Sequence, residues 1–188
     1  MAGGFRPVQD RSGHSYTGKI ETYAVDAAHA TLLAVGDLVI ETGNLEASSG
    51  LSEVDAISAG TTNLITGVIV AVDFNMSNLE QKGLPALTAG KVKVAVDKDL
   101  LLEAETSGGT FALTDVGGNL PVVVTAATAS GGLVNSNMTI NATGNAISTT
   151  EQIRIVGVKD SDVLTFPAAI GTTLICRINE STNDAVGV

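Results

Sequence analysis

Residues 91–97 read Lys-Val-Lys-Val-Ala-Val-Asp, with Val92, Val94 and Val96 at every second position and Lys91 and Lys93 on the intervening ones. A period of two puts the valines on one face of an extended chain and the lysines on the other, so this stretch predicts a half-buried β-strand. Similar β-prone runs occupy residues 20–25, 37–41, 66–73, 100–105, 151–159 and 172–179, with weaker ones at 51–58, 120–125 and 138–141. Together they predict roughly eight to ten strands and an all-β chain. Turn formers fall between the runs, at Gly43-Asn44, Ser49-Gly50, Asp97-Lys98-Asp99, Ser107-Gly108-Gly109 and Gly117-Gly118-Asn119. Two tracts break the pattern. In residues 73–89, Ser77 and Glu80 have the spacing of a capping box for one helical turn, but Gly83 and Pro85 end it, so a crossover loop is expected. Residues 126–150, rich in Ala, Thr, Ser, Asn and Gly, read as an irregular tract and an insertion. No internal repeat is present.

Composition sharpens this picture. Hydrophobic residues make up 44% of the 188 and charged ones 16%, which argues against disorder because enough aliphatic surface is available to offset chain entropy. Aromatic side chains are few, four Phe and two Tyr with no Trp, so the core must be built from small aliphatic contacts and completed by association. A homo-oligomer is therefore expected. The net charge of −10 excludes a protein that coats nucleic acid, which needs clustered cations to displace counterions from phosphates. That charge is unevenly spread: Arg6, Arg11 and Lys19 against Asp10 leave residues 1–19 at +2 and the rest at −12. With Gly3, Gly4, Pro7 and Gly13 breaking periodicity, residues 1–19 are expected to be an extended basic arm, and residues 20–188 a β-rich body. No stretch nears the roughly 20 apolar residues of a membrane span, and residues 1–10 lack the apolar segment of a signal peptide, so no membrane partner is expected.

Catalytic chemistry is poorly represented. His14 and His29 lack metal-ligand spacing, and no phosphate loop, dinucleotide fingerprint or nucleophile elbow occurs. Asp97 and Asp99 flank a turn and read as turn formers, and Cys176 lies in an apolar run where a buried thiol is inert. Sequons at Asn75, Asn137, Asn141 and Asn179 are the chance yield of an Asn-, Ser- and Thr-rich chain. No catalytic residue, metal or cofactor is assigned.

The string Asn78-Leu79-Glu80-Gln81-Lys82, followed by Pro85-Ala86, the strand 91–96, the acidic turn Asp97-Lys98-Asp99 and Leu100-Leu101-Leu102-Glu103-Ala104, resembles a segment of the head decoration (cement) proteins of tailed bacteriophages. Thr114-Asp115-Val116-Gly117, Gln152-Ile153-Arg154-Ile155-Val156-Gly157 and residues 174–179 are similar to that family in the same order, so the resemblance spans roughly residues 34–179. Two positions depart from it: Gly83-Leu84 stands where the family has an aromatic, and the turn is Asp-Lys-Asp where two adjacent acids are common. The resemblance implies a compact β-barrel, β-tulip-like or jelly-roll domain on the outer surface of a capsid. Its partners would be the major capsid protein and copies of itself, as a trimer rather than a dimer, with synthesis in the host cytoplasm. On this reading Phe5, Arg6, Arg11 and Tyr16 would be the arm's capsid anchors and residues 78–82 a subunit contact. Two other classes compete: an extracellular adhesin or pilus-type β-sandwich, which would want an export signal, and a small all-β enzyme, which would want a nucleophile and a base.

Overall fold

The computed structural model describes residues 3–16, 18–59, 64–73, 82–97, 99–130, 133–143, 151–159 and 170–179. The chain is all-β. Its strands are β1 (Arg6–Asp10), β2 (Ile20–Val25), β3 (Leu38–Leu45), β4 (Ser52–Ala56), β5 (Gly67–Val72), β6 (Gly90–Ala95), β7 (Leu100–Ser107), β8 (Asn119–Leu120), β9 (Val122–Val123), β10 (Thr128–Ser130), β11 (Leu133–Asn135), β12 (Thr139–Asn141), β13 (Ile153–Val158) and β14 (Thr173–Ile178). Among the described residues the helical content is one 3-10 turn, Leu113–Asp115, and no helix is long and apolar enough to cross a membrane.

Five strands close a barrel in the order β2-β4-β3-β5-β6. Closure depends on a short parallel contact, Ala24 opposite Glu53, while β2 and β6 pair antiparallel along their length. Val92 and Val94 are fully buried and Lys93 is exposed, which is the arrangement the alternation predicts. They join Tyr23, Val25, Val39, Val54 and Ile69 inside the barrel.

A second, seven-stranded sheet runs β8-β13-β14-β7-β12-β9, with β1 added against β7. Its inner face carries Leu100, Leu102, Ala104, Ile153, Ile155, Leu174 and Cys176, and these pack in one cluster with Leu38 and Val68 of the barrel strands. Barrel and sheet thus share a core. The weak run at 120–125 divides into β8 and β9 around Pro121, whose missing N–H cannot serve a ladder.

Two expectations need correction. Residues 6–10 are not a free arm but strand β1, antiparallel to β7 with Arg6 opposite Glu103 and Asp10 opposite Leu100. Burial of Phe5, 1% exposed, is the physical reason, since a large apolar side chain beside β7 stabilises the pairing. The tract from 126 is also more regular than expected in that β10 and β11 form a hairpin, while β12 is the weak run expected at 138–141 and lies within the sheet between β7 and β9 with Ile140 fully buried. Its last part, 144–150, and the capping-box turn at 77–80 lie outside the described residues.

The turn entering β3 buries a carboxylate. Asp37 is 1% exposed; the Ala34 N–H donates to its Oδ2 at 2.7 Å, and Oδ1 has no hydrogen-bond partner among the described residues. Burial raises its pKa to about 6, an effect that the Ser136 hydroxyl and the Ala34 N–H only partly offset. The folded state therefore holds a proton that the unfolded chain releases near pH 4. Stability from this group is fully present below pH 4 and is lost as pH rises through about 6. Asp37→Asn should raise the unfolding free energy at pH 7.5 by up to about 3 kcal/mol and remove this component of the pH dependence between 4 and 6, as read by urea titration of both proteins.

Candidate functional site

The outward positions of β13, β14 and β7 follow from the same period of two that buries their partners. In β13, Ile153 and Ile155 point inward while Arg154 and Val156 face solvent; in β14, Leu174 and Cys176 are buried while Arg177 is half-exposed. The register sets Arg154 directly opposite Arg177. Arg11, just past β1, is held nearby by its N–H bonding to the Asp99 carbonyl at 3.0 Å. Three of the four arginines of the chain therefore line one depression of 420 Å³, whose apolar lining includes Leu101, Val116 and Val156.

The fourth arginine lines a different recess. Arg6 and Lys159 both donate to Glu103, Lys159 at 3.1 Å, and a smaller recess of 170 Å³ opens among them. Burial pushes the Glu103 carboxyl up, but the Arg6 and Lys159 hydrogen bonds and charges outweigh it and hold the group below the usual carboxylate range. Arg11, Arg154 and Arg177 differ from Arg6 in that none has an ion-pair partner among the described residues. In a chain of net charge −10, Arg154 and Arg177 make a local cationic pair on the sheet, while Arg11 also borders a recess with Asp10, Asp97 and Asp99.

Of the residues expected to be contacts, the structure brings only some together. Phe5 is in the core and offers no anchor to a partner; β1 is part of the sheet, so this expectation is corrected along with the arm. Arg6 is committed to Glu103, and Arg11 lies on the rim of the larger depression. Tyr16 is half-buried against the main cluster, and burial together with the Asp97 charge pushes its phenol up. Lys82 is exposed near the bridge between Leu33 and Leu84, and residues 78–81 lie outside the described residues. Arg154 and Arg177 join the site without having been expected in it. Each shows in the sequence as a lone arginine in an alternating apolar run, but their juxtaposition depends on strand register.

The remaining polar residues hold structure together. Asp97 accepts the Asp99 N–H at 2.9 Å, the turn-forming role expected of it. His29 is buried, with Nδ1 2.7 Å from the Asp26 carbonyl. Cys176 is fully buried and its thiol pKa is pushed far up by that burial, so it is not a nucleophile. No group of three or more His, Cys, Asp or Glu side chains among the described residues is placed to hold a metal ion. No family model, curated protein or solved structure matches the chain.

Proposed function

We propose that this protein is a structural binding protein that decorates the outer surface of a tailed-phage head and cements the mature shell. The observation that carries the reading is the set of three arginines without ion-pair partners among the described residues, gathered on one exposed sheet face of an otherwise acidic β-body. The resemblance of residues 34–179 to head decoration proteins supports it. So does the fold, in which barrel and sheet share one core and the face is built on strands, so binding does not have to order it.

The mechanism is mechanical and involves no turnover. Each copy bridges neighbouring major capsid subunits only in their matured arrangement, and the differential binding energy stabilises that state. Copies act as a homo-oligomer, with a trimer favoured over a dimer. An oligomer that engages several subunits at once gains from effective concentration, so contacts weak by themselves hold firmly together. The body stays outside the shell and touches neither DNA nor membrane. Co-sedimentation with purified heads tests this reading: full-length protein should saturate expanded heads and bind unexpanded ones poorly. Failure to bind expanded heads overturns it.

A further inference from the structure

We infer that the arginine depression accepts a segment of a partner protein that presents carboxylate and apolar side chains side by side. The inference rests on the reading of this chain as a binding protein and names the chemistry that its face recognises.

Arg154 and Arg177 are directly cross-strand, an arrangement that like charges make unfavourable. A carboxylate within the chain would be the simplest relief, yet Glu103 of β7 is taken by Arg6 and Lys159, and Asp10, Asp97 and Asp99, which border a recess with Arg11, form no ion pair with Arg154 or Arg177 among the described residues. The charge of the Arg154–Arg177 pair is thus left for a partner to neutralise. Its form matters as well: the chain has six lysines, and the depression is lined by none of them. Guanidinium forks read planar carboxylates in bidentate geometry, whereas an ammonium is a point charge.

The walls set the second requirement. Val116 and Val156 are 38% and 45% exposed, and a small inorganic anion would leave them wet. A volume of 420 Å³ lies within the roughly 300–1,000 Å³ usual for binding pockets and has room for more than one side chain. Nucleic acid fits poorly. Single strands are gripped by exposed aromatic platforms, and among the described residues the aromatics Phe5, Tyr23 and Phe111 are buried and Tyr16 half-buried, in a body that repels phosphate.

The test uses full-length protein and a fluorescein-labelled decapeptide of alternating Glu and Leu, followed by fluorescence polarisation at low salt. A Ser/Leu decapeptide and a decathymidylate serve as comparison probes. Saturable binding of the Glu/Leu peptide is expected, weakened at least about tenfold in R154Q/R177Q and less in R154K/R177K, which keeps the charge but loses the fork. Thermal midpoints of both variants should match or exceed the wild type, because the first relieves a repulsive pair, the second retains it, and neither empties any part of the core. Absence of Glu/Leu binding, equal binding of the decathymidylate, or full affinity in R154Q/R177Q overturns the inference. Peptide binding without binding to expanded heads would uphold the inference and sink the decoration reading. Arginine-independent binding to heads with no peptide binding would do the reverse.

Discussion

Phe5→Ala is expected to destabilise the protein by about 3–5 kcal/mol, the usual loss for emptying a fully buried phenylalanine site. The side chain is 1% exposed within the larger core cluster, and the Phe5 backbone N–H donates to the Gly36 carbonyl at 2.9 Å, tying the N-terminal segment to the turn that enters β3. One residue thus links the barrel, the sheet and β1. A core this poor in aromatic side chains has few ways to refill the volume, since among the described residues Phe111 is the one other phenylalanine buried in it. Urea unfolding should show a lower midpoint at unchanged slope. A loss below about 1 kcal/mol would mean that residues 3–10 are a peripheral arm after all.

Gly4→Ala should be nearly as damaging, by at least about 2 kcal/mol. Gly4 has φ +67, and a Cβ there would lie 2.3 Å from the Ser136 Oγ and 2.6 Å from the Gly36 carbonyl oxygen. Ser136 is fully buried and the second obstacle is backbone, so neither can move aside cheaply. The adjacent Gly3→Ala is the internal control. Nothing lies within 4 Å of a Cβ at Gly3, and its stability should stay within about 0.5 kcal/mol of wild type. Equal effects of the two substitutions, read by thermal and urea unfolding, would contradict the close approach of this segment to the turn.

Where burial alternates along one strand, the sequence is sufficient to find it. Strand β6 is visible from three valines, β13 from Ile153 and Ile155, and β14 from Leu174, Cys176 and Ile178 at every second position. Strand β1 is hidden because Gly3, Gly4 and Pro7 are local breakers, and what makes the segment a strand is distant: pairing with β7 and burial of Phe5. Pro7 is tolerated there because β1 lies at an edge and its register shifts between Pro7 and Gln9. The candidate face has the same character. Arg11 can be singled out from charge asymmetry alone, whereas Arg154 and Arg177 are 23 residues apart in sequence and meet only through the β13–β14 register. Charge counted along the chain puts the cations in a terminal arm; charge mapped on the fold puts them on one sheet face.

That face offers the most direct test of the proposed function. Expanded heads stripped of the protein can be titrated with wild type and with R154E/R177E, and bound protein quantified after sedimentation. Arg154 is exposed, Arg177 is half-exposed, and both lack ion-pair partners among the described residues, so the variant should keep the wild-type circular dichroism. Wild type should saturate the heads, and the variant should lose about a hundredfold or more in apparent affinity, through removal of two charge contacts and their replacement by repulsion. A folded R154E/R177E protein that saturates expanded heads at the wild-type concentration would contradict the assignment of this face to capsid binding.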